Sequence, residues 1–429
     1  MQPGTGVQQM REHELRRQVV GEMHLRRWPS VPVPGVILQW VTEVEADERE
    51  QELAVLDRHS NLTGTEAHPR HREGTLPKGV RFAWERHSEG SSLTLFIAST
   101  EYDAFRAPRE QADLEGPLAW VDSLPGKIIR ATAIHLVESE AQAEAIVPTL
   151  DFSPSETVSC RLQGTARMWS DFKLWPDGFG RLLVSAGETD RRDFTRLLQR
   201  LQELGNYRNK ALLGLPEAQA VWPRLDAAEE RLAALSLRVT NSAETDDALL
   251  QELSDLSLEL MAVAASINYR MSATAAYARL VEDRLEQLQI TPIDGFASLE
   301  DFTERRFLPA MRTCTAVVDR ERQLALRASQ LSSLLRARID TRIENQNAEL
   351  LRSMESSSRL QLRLQQLVEG FSVVPISYYL LGLVAYALKA GREILPRIDP
   401  DKTVGLLVIP TVLAIWLILR LVKRRVLGN

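Results

Sequence analysis

RLQLRLQQLVEGFSVVPISYYLLGLVAYALKAG, Arg359 to Gly391, changes character at its middle. Its first ten residues are charged and amphipathic, and from Phe371 to Leu388 no formal charge appears. Those 18 residues would reach about 27 Å as a helix, close to the hydrocarbon thickness of a bilayer. A second run of 16 residues, Val404 to Leu419, follows a polar loop of 15. It extends to Val422 if Arg420 snorkels to the interface. The pattern predicts a helix that continues into a membrane without a break, then a second span: a hairpin at 371–388 and 404–422. Pro375 falls in the first turn or so of the span, where a missing hydrogen bond does least harm.

Lysine and arginine set the expected orientation. The tail carries Arg420, Lys423, Arg424 and Arg425, and the approach carries Arg352, Arg359 and Arg363. The loop between the spans holds Lys389, Arg392, Arg397 and Lys402 beside three acidic residues. Seven against four places both termini in the cytoplasm. The N-terminal stretch MQPGTGVQQMREHELRRQ has no apolar core, so no secretory signal is expected.

Over its 429 residues the composition is that of a soluble protein, with 26% charged residues, so a membrane segment is a local feature. That length predicts two or three domains. A net charge of −6 argues against a general nucleic-acid binder. Cys160 and Cys314 are far apart and form no CxxC, so neither a disulfide framework nor a zinc site is expected.

Residues 35–187 alternate as strands do. Val36–Val44, Val80–His87, Leu93–Thr100, Ile128–Val137, Thr157–Leu162, Ala166–Trp175 and Phe179–Ser185 read as strands, and Pro176–Gly178 as a hairpin turn. Arg49–His59 and Glu138–Ile146 read as helices. From Asp190 the strand signal stops, and Asp193–Leu212, Glu217–Val239 and Glu244–Gln289 carry leucines at helical spacing. A last helix begins at Leu299. The expected fold class is α+β: a mixed α/β domain with a mostly antiparallel sheet at 1–187, a stalk of long helices at 188–369, and the membrane hairpin with its basic tail at 370–429.

Chemistry-bearing motifs are sparse. Glu85, Arg86, His87 and Glu89 form a charged group on a strand, which suits an ion-pair cluster better than an acid–base pair. His59, His68 and His71 lack the ligand count and spacing of a zinc site, so no metal and no cofactor are expected. DGFGR, Asp177–Arg181, has no helix after it and reads as a hairpin rather than a phosphate loop. Cys160 sits mid-strand as a small core residue. At the membrane approach, Glu369, Ser372, Ser377 and Tyr378 are the groups that could line a pore.

The chain resembles the bacterial membrane proteins grouped as domain of unknown function 3422. The likeness lies in LRRQVVGEMHLRRWPSVPVP, with His24 and Arg26, in FAWERHSE, and in the turn DFKLWPDGFGR with Asp177 and Arg181. It continues through YRNKALLGLPEA, LPAMRTCTAV and the membrane approach quoted above. The resemblance implies a bacterial inner-membrane protein and carries no activity with it. The layout, a soluble α/β domain followed by a long helix and a two-helix hairpin, also resembles CorA-type metal-ion channels. Their Gly-Met-Asn signature is absent here, where the sequence reads AYALKAGREI.

Three functions fit these features. The first is a membrane-anchored scaffold or regulatory module with a cytoplasmic partner or ligand; the second is a homo-oligomeric ion conduit; the third is a membrane-bound enzyme. The absent catalytic motifs weigh against the enzyme. The expectation is the anchored module, bound to the bilayer, self-associating and without a nucleic-acid partner.

Overall fold

The computed structural model describes residues 13–16, 19–20, 28–60, 70–98, 105–150, 152–153, 155–240, 245–390 and 400–426. It is α+β. Nine strands form one mixed sheet: β1 (Gly35–Glu43), β2 (His71–Thr75), β3 (Arg81–His87), β4 (Gly90–Ile97), β5 (Lys127–Val137), β6 (Val158–Leu162), β7 (Ala166–Ser170), β8 (Gly180–Ser185) and β9 (Ile290–Pro292). Their order across the sheet is β2-β3-β4-β1-β5-β8-β7-β6-β9. Three short helices accompany them, α1 (Arg49–Asp57), α2 (Glu115–Asp122) and α3 (Glu140–Ile146). The long helices follow: α4 (Arg191–Leu212), α5 (Gly214–Thr240), α6 (Asp246–Leu288), α7 (Leu299–Ala390) and α8 (Pro400–Val426).

All adjacent pairs are antiparallel except β5 with β8, where Thr132 lies opposite Gly180 and Val137 opposite Ser185. Alternation along each strand sorts side chains between two faces. On one face Val36, Leu38, Trp40, Phe82, Trp84, Leu93 and Leu95 form an apolar core with Leu56 of α1 and Leu118 of α2. The other face carries Ile37, Gln39, Thr94, Phe96, Thr132 and Ile134, all buried. α4 covers it at β5. Phe194, Leu197, Leu198, Leu201 and Leu204 recur at helical spacing and are buried. The helix starts at Asp190, whose carboxylate accepts the amide N–H of Arg192.

Three strands depart from the sequence expectation. His71 falls in none of the expected strands, yet it opens β2, and its Nε2 lies 2.8 Å from Glu73 Oε1. Strands also do not end before Asp190, because β9 pairs with β6 through Leu162 opposite Ile290. The expected strand Ala166–Trp175 stops at Ser170 and turns into the loop that leads to β8. His59 follows α1 and meets Trp120 edge to face at 6.0 Å, while His68 lies outside the described residues.

The chain divides into two compact units, Met1–Ala243 with Gln251–Leu331, and Glu244–Leu250 with Ser332–Asn429. In the first, α5 is tied to α6 by Arg231–Glu259 and Arg238–Glu252, and to α7 by Arg320 on Asp226 and Glu229. A reciprocal cap between Ser298 and Asp301 starts α7. In the second unit, buried Asp246 takes Arg338 and Arg342. The apolar end of α7 and the helix α8 are each long and apolar enough to cross a membrane. α7 runs unbroken through Gly370 and Pro375.

One glycine fixes the β3–β4 turn. At Gly90 φ is +151°, and an added Cβ would stand 1.9 Å from the carbonyl oxygen of Thr42. β1 backbone cannot withdraw without breaking the sheet. Gly90→Ala is expected to destabilise the protein by about 2–4 kcal/mol. A thermal melt of the detergent-solubilised chain checks this, and an unchanged Tm would contradict the packing described.

Candidate functional site

Between the sheet and the helices of the first unit lies a polar layer. On the sheet side it begins with Gln39, whose Nε2 donates to Thr94 Oγ1 at 2.9 Å. Arg130 sits beside it on β5, at a bulge where Val41 faces Arg130 but Thr42 faces Ile128. Its Nη1 donates to Asn206 Oδ1 at 2.7 Å and to Gln39 Oε1 at 3.4 Å. On the helix side, Gln202, Asn206 and Lys210 recur every fourth residue of α4 and all three are buried.

Lys210 is the most costly member. It is 1% exposed, and its ammonium finds no hydrogen-bond acceptor among the described residues. It lies 5.4 Å from the centre of the Tyr277 ring of α6. Burial pulls its pKa down to about 8, against the attraction of Glu89.

Glu89 lies in the β3–β4 turn and is held by Arg270 of α6 through contacts of 2.9 and 2.7 Å. Burial alone would raise the Glu89 pKa, but the hydrogen bonds and charge of Arg270 hold it below the usual carboxylate range. Alternation along β3 puts Glu85 and His87 on the face opposite Trp84. His87 Nε2 lies 3.1 Å from Ser92 Oγ. The structure therefore brings Glu85, His87 and Glu89 toward the helices. It leaves Arg86 on the other side of the strand, where its backbone N–H bonds the carbonyl of Arg70.

A cavity of about 230 Å³ opens on the opposite face of the sheet, walled by Trp40, Trp84 and Phe179. Glu52 and Ser91 also line it. Glu52 is 3% exposed, and its Oε1 accepts the indole N–H of Trp84 at 2.9 Å. Arg109 and Asp122 stand at the same cavity, joined by two hydrogen bonds of 2.9 and 2.6 Å. The volume lies just below the roughly 300–1,000 Å³ of drug-sized sites. It suits a small molecule with ring faces for the indoles and a donor for Glu52.

The other residues singled out from the sequence are dispersed. Asp177 and Arg181 pair with each other across the turn before β8. Arg181 is buried, with its guanidinium 5.3 Å from the Trp175 ring and 5.6 Å from the Phe179 ring. His24 and Arg26 lie outside the described residues. Glu369 falls in α7 at a position whose side chain is also outside them. Ser372 and Ser377 both return their hydroxyls to their own helix, onto the carbonyls of Val368 and Val373. Tyr378 is exposed and meets Tyr379 edge to face at 6.0 Å. Cys160 is fully buried, and burial pushes its thiol up to about 11, far from thiolate chemistry at neutral pH. Arg130, Lys210, Arg270, Tyr277 and Glu52 were not legible as site residues. The only sequence signal was the four-residue spacing of Gln202, Asn206 and Lys210.

Two outcomes follow from the polar layer. Glu89→Gln leaves Arg270 without its counter-charge, and a loss of about 3 kcal/mol is expected. Lys210 binds its proton less tightly folded than unfolded. Its contribution is unfavourable below pH 8 and is relieved as pH rises toward the usual lysine range, since the unfolded chain then holds the extra proton. Lys210→Met should therefore abolish a rise in stability between about pH 8 and 10.5. Melts of both proteins across that window check the sign; parallel profiles would contradict it.

No curated protein and no solved structure matches this chain. Residues 11–426 match the family described as protein of unknown function (DUF3422). With nearly the whole length covered, the chain belongs to that family.

Proposed function

We propose that this protein is a membrane-anchored binding module: the hairpin 371–388 and 404–422 holds it in the inner membrane, and the sheet unit takes a small ligand in the Trp40–Trp84 cavity. The observation that carries the reading is α7, one continuous helix from Leu299 to Ala390 whose charged sequence gives way to an apolar one. A second apolar helix follows it. Phe371, Val374, Tyr379 and Leu383 are exposed, as are Leu406, Ile409 and Leu413 of α8. Such surface is unfavourable in water and favourable in lipid. The lysine and arginine balance supports cytoplasmic termini. Leu360, Leu364 and Leu367, exposed at helical spacing, support self-association.

Binding rather than catalysis is supported by the state of the titratable groups. Glu89 is committed to Arg270 and His87 to Ser92, and of the two carboxylates at the cavity Glu52 accepts the Trp84 indole N–H and Asp122 is paired with Arg109.

Alkaline carbonate extraction tests the anchor. The full chain should stay with the membrane pellet, and a chain ending at residue 365 should not. Reporters fused at Asn429 and within residues 392–401 should report opposite compartments. A full chain released by carbonate, or a periplasmic C-terminus, would refute the arrangement.

A further inference from the structure

Glu52 is a charged group among apolar ones. It stands within α1, reaches the sheet at Trp84, and is 3% exposed. Glutamate is rarely buried so deeply without a full partner. The partners of Glu52 are incomplete. The indole N–H of Trp84 donates to Oε1 at 2.9 Å. Arg49 Nη1 reaches Oε2 at 3.4 Å, long against the roughly 2.7–2.9 Å of a charge-assisted bond. The same nitrogen also donates to Ser91 Oγ at 3.2 Å. An ionised carboxylate offers about four acceptor sites, and the Trp84 N–H needs only one acceptor, which a neutral glutamine would supply. The charge is more than the packing requires, and it borders the cavity.

The rings around it agree. Trp169, Trp175 and Phe179 each already hold a cation: Arg167 lies 4.5 Å from the centre of Trp169, and Arg181 lies 5.3 Å from that of Trp175 and 5.6 Å from that of Phe179. Among the described residues no arginine or lysine stands over Trp40 or Trp84 in this way. Both indoles line the cavity, where the Phe179 ring meets Trp40 at 75° and 5.5 Å. Tryptophan is the strongest aromatic partner for a cation, and removal from water strengthens the attraction. Arg109 is the one basic group among the described residues lining the cavity, and it is spent on Asp122 through two hydrogen bonds. An anion, or the phosphodiester of a lipid headgroup, would find no free basic group there. Ile128 also lines the cavity and is 63% exposed, so the space opens to solvent.

We propose that the cavity binds a small soluble organic ammonium ion, its charged head against the Trp40 and Trp84 rings and beside the Glu52 carboxylate. The inference rests on the reading of this cavity as a ligand site and adds the charge of the ligand.

The test is calorimetric titration of the full chain in an uncharged maltoside detergent. Choline is the first probe, since its charge does not vary with pH. Its neutral twin carries tert-butyl in place of trimethylammonium and keeps the shape without the charge. Phenethylamine and phenethyl alcohol form a second pair, with a primary ammonium. At least one cation should bind, and its neutral twin should bind roughly tenfold more weakly, the worth of a desolvated cation–ring contact. Glu52→Gln keeps an acceptor for the Trp84 N–H and should bring the cation down to the level of its twin. Trp40→Leu keeps the wall apolar and should weaken the cation several-fold, roughly the loss of one ring, with little change for the twin. Glu156→Gln removes an exposed carboxylate outside the cavity and should titrate as wild type does. Melts without ligand report whether each variant folds, and the comparison of twins on the wild type stands apart from any variant. A cation preference on the wild type that is lost in Glu52→Gln supports the proposal. Twins that bind as tightly as the cations would overturn it and leave the cavity as a ligand site, and a preference that survives in a folded Glu52→Gln would overturn it too. No binding by any of the four probes would overturn both the proposal and the reading it rests on.

Discussion

The structure depends on the pairing of β5. This strand is antiparallel to β1 on one edge and parallel to β8 on the other, so it alone joins the β2-β3-β4-β1 half to the β8-β7-β6-β9 half. A parallel neighbour cannot follow through a tight turn and needs a crossover. Residues between Val137 and Gly180 supply it, carrying α3, β6 and β7. The crossover also delivers the loop of Asp171 and Phe172 and the pair Asp177–Arg181. β5 itself carries Arg130 into the polar layer, and Ala131 and Ala133 into the apolar core on its other face.

The two faces of the sheet are therefore built on different physics. The face under α1 and α2 is aromatic and aliphatic, stabilised by area removed from water. The face under α4 mixes Ile37, Phe96 and Ile134 with Gln39, Thr94 and Thr132. Burying such groups is tolerable only where they are hydrogen-bonded or paired. Gln39 and Thr94 satisfy each other, and Glu89 is matched by Arg270. Lys210 is left as a net cost, of the kind that folds retain where a site needs it.

Much of the fold could be read from the residues. Alternation at Val36–Val44, Ile128–Val137 and Phe179–Ser185 located β1, β5 and β8 because half of each strand is apolar. β2 escaped notice because His-Arg-Glu-Gly-Thr has no apolar residue. Its place comes from pairing with β3, where Gly74 lies against the Phe82 ring. β9 escaped because Pro292 reads as a breaker, and at an edge a missing N–H is tolerated. The candidate site was legible only in part. Glu85, His87 and Glu89 were visible as a charged group, but Arg270, the partner of Glu89, is 181 residues away, a distance no local pattern spans. The stripe Gln202, Asn206 and Lys210 looks like a solvent face. It is buried because the sheet opposite is polar too, which only the tertiary structure discloses.

β9 also dictates an order of assembly. Ile290–Pro292 adds to β6, whose residues leave the ribosome long before. Until α4, α5 and α6 have been made, the open edge of β6 has no partner, and unpaired edges invite the wrong strand. The pairing closes that edge, and Pro292 leaves the new one without a donor at that point. Only after this do the two apolar stretches emerge, since both lie C-terminal to β9. The sheet can thus be finished in water before the chain first presents a segment that favours lipid, and synthesis itself separates two folding problems that would otherwise compete for the same exposed apolar surface.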